Sequence, residues 1–185
     1  MRTGRPKNFN REEVLDKAIP VFWKHGFSDT TLADLETATG VNRSGLYTEF
    51  KDKEDLFLAA LKRYLETSGL IDVLAQEPKG WANVESYLRM ALSCWPGQKG
   101  CFSVSSMREL AVLPDEARAI VARSMTPIKR LLVENIEAAA ARGDASFIAE
   151  MAMTYFSGIS IDQNLVGNAT GSRRIENFMG VLREL

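Results

Sequence analysis

The chain has 185 residues, 45% of them hydrophobic and 25% charged, the balance of an ordinary soluble fold with room for a small module beside a larger core. A net charge of −1 excludes a uniform polycation, so any affinity for nucleic acid must rest on local charge. A single histidine cannot build a catalytic triad or a metal set around itself, and the acids Asp115, Glu116, Glu134 and Glu137 read as solvated helix faces, so no enzyme is expected.

Arg2, Arg5, Lys7 and Arg11, with no acid among the first eleven residues, predict a basic arm able to follow a phosphate backbone or enter a minor groove. The opening is basic and polar, and no apolar run approaches the ~20 residues that span a bilayer, so no membrane association and a cytoplasmic location are expected. Asn10 and Glu13 form a capping box for a first helix, whose apolar face is Val14, Leu15, Ala18, Ile19, Val21 and Phe22. Pro20 inside it, at about 3 kcal/mol or more in an unadapted helix, predicts a bend. His25, just before Gly26, reads as an end cap or packing group.

Residues 30 to 50, TTLADLETATGVNRSGLYTEF, carry most of the functional information. Thr31 and Asp34 make a reciprocal cap; Leu32, Leu35 and Ala38 make one buried face; Gly40 stops the helix after about two turns. Val41 plugs the corner, and Asn42 caps a second helix with Leu46 and Phe50 inward. That leaves Asn42, Arg43, Ser44, Gly45, Tyr47 and Thr48 outward, small and hydrogen-bonding groups suited to a major groove. Arg43 can fork onto a guanine, Tyr47 or Thr48 can bind phosphate, and Lys51 and Lys53 open the next helix, where free amides also attract phosphate.

These features resemble the TetR family of bacterial transcriptional regulators. The resemblance runs from Asn10 through His25-Gly26-Phe27, Thr30-Thr31, Asp34-Leu35, Gly40-Val41, Leu46-Tyr47, Phe50 and Lys53 to Leu56-Phe57, covering about the first 63 residues. Three residues depart from the family pattern: Glu36 stands where a small residue is common, Glu49 where a histidine is frequent, and Pro20 within the first helix. The resemblance implies an all-α chain, with a helix-turn-helix DNA-binding domain over residues 1–51 and a helical effector-binding and dimerisation domain over 52–185. It implies a regulator, usually a repressor, that binds double-stranded palindromic operator DNA as a homodimer and is released by a small molecule, with no cofactor. The DNA-contacting set is then Arg5, Lys7, Thr31, Asn42, Arg43, Ser44, Tyr47, Thr48, Lys51 and Lys53.

Beyond Phe50 the pattern is helical throughout. Helices are predicted from about Asp52 to Ala75, Trp81 to Trp95, Cys101 to Leu113, Asp115 to Arg142 with a kink at Pro127, Ser146 to Val166 and Ser172 to Leu185. The last two carry Phe147, Ile148, Met151, Tyr155, Phe156 and Ile159, and Ile175, Phe178, Met179 and Leu182, faces suited to a four-helix bundle across a two-fold axis. Met90, Trp95, Phe102, Met107, Met125 and Tyr155 are candidates for an apolar effector pocket, although methionines and aromatics fill helical cores everywhere. Cys94 and Cys101 flank a short Pro-Gly loop, with Lys99 near enough in sequence to lower a thiol pKa. A thiol- or metal-responsive regulator is thus an alternative to inert thiols. A helical interaction module that binds no DNA is the other alternative; it predicts no salt-sensitive DNA binding and no effect of changing Arg43 or Tyr47.

Overall fold

A computed structural model of the chain describes residues 9–93, 95, 97–109, 111–163, 165 and 167–185. Among these, ten α-helices and one 3₁₀ turn follow in order, with only two isolated bridges, Ser93 to Gly100 and Trp95 to Gln98, in place of strands.

Helix α1 (Arg11–Asp29) starts under Asn10, whose side chain accepts the Glu12 amide at 2.8 Å, one position earlier than the pairing with Glu13 that the sequence suggests. Val14, Leu15, Ala18, Ile19 and Phe22 are buried, as their spacing requires. The predicted bend at Pro20 is displaced: the non-helical angles inside α1 fall at Gly26 (φ 79°, ψ 176°). A left-handed backbone angle breaks the hydrogen-bond ladder outright, and glycine takes it without a Cβ penalty. Helix α2 (Leu32–Thr39) begins with the full Thr31/Asp34 capping box and ends at Gly40 with φ 73°. Helix α3 (Arg43–Glu49) begins under Asn42, which accepts the Gly45 amide at 2.8 Å. Leu35, Val41, Leu46 and Phe50 join the α1 face in the core.

The single helix expected from Asp52 to Ala75 is two, α4 (Lys53–Thr67) and α5 (Leu70–Ala75), because Gly69 takes φ 77° and ends the ladder. The break lets Leu70 and Leu74 enter the core from a new direction. Helix α6 (Trp81–Met90) stops short of Trp95, since the chain turns back at Ala91 to Ser93 and Gly100 donates its amide to the Leu92 carbonyl. Helix α7 (Phe102–Ser106) tightens into a 3₁₀ turn, Met107–Glu109, well before Leu113. Helix α8 (Asp115–Ala138) runs through Pro127 as one element and ends ahead of Ala140, at φ 55°. Helices α9 (Ala145–Asp162) and α10 (Asn168–Glu184) close the chain.

Two interior devices position the functional surfaces. An aromatic cluster joins α1, α4 and α7: Phe22 meets Phe57 edge-on at 5.2 Å, Trp23 stacks on Phe102 at 5.7 Å, and Phe102 meets Tyr64 at 5.5 Å. Such contacts fix ring orientation as well as burying area. Farther from α3, Asn135 of α8 is fully buried and satisfied. Its carbonyl accepts from Gly80 N and Asn83 Nδ2, each at 2.9 Å, and its amide donates to the Leu74 and Leu131 carbonyls, each at 2.8 Å. One polar side chain thereby ties α5, α6 and α8 together.

Candidate nucleic-acid interface

Helix α3 presents a polar outer face on a tightly held base. Leu46 and Phe50 are each 1% exposed, whereas Asn42, Arg43, Ser44, Tyr47 and Thr48 lie on the surface. The Arg43 guanidinium sits 5.4 Å from the centre of the Tyr47 ring, so the two longest side chains of this face brace each other. Thr48 donates its hydroxyl to the Ser44 carbonyl at 2.8 Å. The Arg43 amide donates to the Glu36 carboxylate, so this departure from the family pattern serves as a second cap on α3. Gly45 lets α3 lie close to the corner: a Cβ there would stand 2.7 Å from Val41 Cγ1 and 3.4 Å from Phe9 Cε1.

At the start of α2, Thr31 is exposed, but its side chain works within the cap, donating to Asp34 Oδ2 at 2.6 Å and accepting from the Asp34 amide at 3.2 Å. The side-chain and backbone hydrogen bonds from Thr31 hold the Asp34 carboxyl below its ordinary pKa. Glu49, where the family pattern often has a histidine, has a side chain 15% exposed that lies 4.0 Å from Arg11 Nε. Lys51 is exposed beyond α3.

Lys53 is not the free phosphate ligand that its position suggests. Its ammonium donates to the carbonyls of Phe27 at 2.8 Å, Thr30 at 3.0 Å and Ser28 at 3.2 Å, and lies 4.7 Å from the Phe27 ring centre. Three partners use all three protons. The same corner is gripped from the opposite polarity by Glu109, which accepts the Phe27 amide at 2.7 Å and the Ser28 amide at 3.1 Å. Neither Glu36 nor Glu109 was recognisable as a site residue from local pattern, and Glu109 is 82 positions from Phe27. Arg5 and Lys7 fall outside the described residues.

The effector candidates do not converge on one pocket. Trp95, Cys101 and Phe102 pack around Tyr64, with ring centres 5.9 Å apart for Trp95 and the Tyr64 hydroxyl 3.2 Å from Cys101 Sγ. Cys101 is 1% exposed and also 3.1 Å from the Ser103 hydroxyl. Met90 and Met107 are partly buried against the core. Met125 lies instead in a groove between α8 and α9 with Lys129, Val133 and Met153. Tyr155 belongs to a third place, a groove over α9 and α10 of about 620 Å³. There it stacks on Phe178 at 3.8 Å and donates to the Arg174 carbonyl at 2.8 Å, while desolvation raises its pKa. Cys94 is outside the described residues, and among those described no three His, Cys, Asp or Glu side chains gather as a metal set.

The predicted interface residues divide. Phe156, Ile159, Ile175, Met179 and Leu182 are buried within one chain and belong to its own core. Their apolar spacing marked the inward faces of α9 and α10, which the chain covers itself. Met151, Tyr155 and Phe178 border the outward groove. Phe147 borders it too and is 61% exposed, and Ile161 at 41%, Val181 at 55% and, past the end of α9, Leu165 at 85% are further exposed apolar residues outside the predicted set. No helix among the described residues is long and apolar enough to cross a membrane.

Residues 14–60 match the family model described as bacterial regulatory proteins, tetR family. The chain is 36% identical over 114 residues to the HTH-type transcriptional repressor ComR of Escherichia coli, covering 58% of this chain and 54% of that one. It is 46% identical over 63 residues to the uncharacterised HTH-type transcriptional regulator YezE of Bacillus subtilis, covering 34% and 32%. The matched region thus spans about half, or less, of the curated relatives' length. Along nearly the whole chain it is similar to a cysteine mutant of the TetR family regulator CifR complexed with 26 bp double-strand operator DNA. That likeness has 26% identity and a TM-score of 0.75, and covers 95% of this chain and 98% of that one.

Proposed function

Because the chain belongs to the TetR family of bacterial transcriptional regulators, we propose that it represses transcription by binding a palindromic operator as a homodimer and is released when a small molecule binds its C-terminal part. The observation that carries this reading is the exposed Arg43 and Tyr47 face on a doubly capped α3. In a major groove, Arg43 forks onto a guanine, while Tyr47, Thr48 and Lys51 meet phosphates on either side. Thr31 and Ser44 border the same surface. Arg5 and Lys7 of the basic arm follow the adjoining minor groove.

The outward stripe on α9 and α10 supports self-association, since monomers rarely leave so many large apolar side chains together in water. A two-fold pairing of α9 and α10 sets the two α3 helices about 34 Å apart, one turn of the duplex. Residues 1–51 then form the DNA-binding unit, and residues 52–185 the effector and dimer unit.

The switch runs through α4. Lys53 at its start grips the α1–α2 corner, Arg63 pairs with Asp16 and Glu12 of α1, and Lys62 pairs with Glu116 of α8. An effector that favours a shifted α4 therefore carries α3 out of register with its groove. A coupling of about 1–3 kcal/mol reduces operator affinity several-fold to about a hundredfold. The effector is expected to be apolar or aromatic; the burial of Cys101 gives a thiol trigger less support.

Hydroxyl-radical footprinting of the DNA upstream of the coding region tests the arrangement. Two symmetric protected patches about one helical turn apart are expected. One asymmetric patch contradicts the dimeric reading, and uniform weak protection contradicts operator recognition.

A further inference from the structure

We propose that Glu109 is a positioning residue for DNA recognition, the handle by which the C-terminal body sets the placement of α2 and α3; this rests on the regulator reading above. Its carboxylate spans 82 positions of sequence to take two consecutive amides, Phe27 N at 2.7 Å and Ser28 N at 3.1 Å. Those amides lie just past the break at Gly26, in the short helical stretch that closes α1 ahead of α2. Free donors at that point need an acceptor, and a carboxylate is the strongest available.

The site is shaped for this group. A Cβ on Gly26 would stand 2.5 Å from Glu109 Oε2 and 2.9 Å from Oε1, so the carboxylate occupies the space that any side chain at position 26 would need. Lys53 answers from the other side by holding the carbonyls of the same corner, Phe27, Ser28 and Thr30. The corner is thus gripped by its amides from the 3₁₀ turn and by its carbonyls from α4, and the next residue, Thr31, caps α2.

Glu109 is also coupled to the interior. The 3₁₀ turn Met107–Glu109 continues α7, and α7 opens with Phe102, which contacts Trp23 of α1 and Phe57 and Tyr64 of α4. A displacement of α7, from whatever binds near Cys101 and Phe102, moves the carboxylate relative to α1. Such a movement loosens or re-aims α2 and α3 without any contact between Glu109 and DNA.

The test compares the parent chain with Glu109→Gln and Glu109→Asp. Amide hydrogen exchange is followed across residues 27–49, and operator affinity is measured at two salt concentrations. In Glu109→Gln, exchange is expected to quicken at Phe27 and Ser28 and through α2 and α3, while far-UV circular dichroism stays unchanged. Operator binding is expected to weaken about tenfold, with the salt slope intact because no phosphate contact is lost. Glu109→Asp keeps the charge and shortens the reach, and is expected to fall between the two. Faster exchange confined to Phe27 and Ser28 would show a local cap and overturn the proposal. So would unchanged operator affinity in Glu109→Gln. If the parent chain binds no operator, the regulator reading fails on its own, and the spread of exchange through α2 and α3 decides whether Glu109 positions them.

Discussion

Replacing Lys53 by Met separates a clamp from a phosphate ligand. The ammonium makes three hydrogen bonds to carbonyls, at 2.8, 3.0 and 3.2 Å, and lies over the Phe27 ring. A hydrogen bond to a charged group contributes about 1.5–3 kcal/mol when its partner is left dry. Here the Ser28 carbonyl is at an exposed position, so water can replace the ammonium there, and only the Phe27 and Thr30 bonds are counted near that value. Fixing a lysine side chain costs up to about 2 kcal/mol of rotamer entropy, which offsets part of the gain. Methionine keeps much of the stem packing but none of the bonds, so a net loss of about 2 kcal/mol is expected. With a urea slope of about 2 kcal/mol/M for a chain of this size, the midpoint should fall by about 1 M. Operator binding should keep its salt slope, because no phosphate is given up; a phosphate-contacting lysine would lower it by about one. An unchanged urea midpoint together with a salt slope reduced by about one would refute the clamp and restore Lys53 to the DNA surface.

Gly45→Ala places a methyl 2.7 Å from Val41 Cγ1, and overpacking at about 1–3 kcal/mol should outweigh the ~0.5–1 kcal/mol that alanine normally adds to a helix. A lower melting temperature and weaker operator binding are expected; a rise in melting temperature would mean that the corner has room. Asp34 is held below its ordinary pKa by Thr31, so its contribution is complete above the unfolded value of about 3.9 and is lost as pH falls through the lower folded value. Asp34→Asn should therefore melt below the parent at neutral pH and converge on it under acid; a constant gap at all pH would deny the carboxylate this role. Phe147→Asp or Val181→Asp, at 61% and 55% exposure in the single chain, should convert a dimer to a monomer by light scattering without lowering helical content. A dimer that survives both changes would place the interface elsewhere.

The helix-turn-helix was legible because its signals are local. The Thr31/Asp34 box, Gly40 and Asn42 each act within four residues, and each forms as its spacing requires. Apolar spacing likewise identified Leu35, Leu46 and Phe50 as core. What stayed hidden depends on partners far along the chain. Lys53 looks like a phosphate ligand until the α1–α2 corner folds over it, and Glu109 has no local mark because its partners are Phe27 and Ser28. The boundary at Gly69 does not show in the sequence because apolar periodicity runs on through it, while the break rests on a left-handed backbone angle, φ 77°. Faces were harder than helices on α9 and α10. Both sides of these helices carry apolar residues, and periodicity alone does not say which side the chain covers itself.

Fluorescence-anisotropy titration of a palindromic fragment from the chain's own upstream region, against scrambled DNA and with Arg43→Ala alongside at two salt concentrations, bears most directly on α3 as a reader of sequence. Tight binding to the palindrome is expected, lost on scrambling the DNA and lost in Arg43→Ala, with the scrambled fragment held only weakly and salt-sensitively. Equal affinity for both fragments, unaltered in Arg43→Ala across that fragment and a set of genomic ones, would contradict sequence reading by α3.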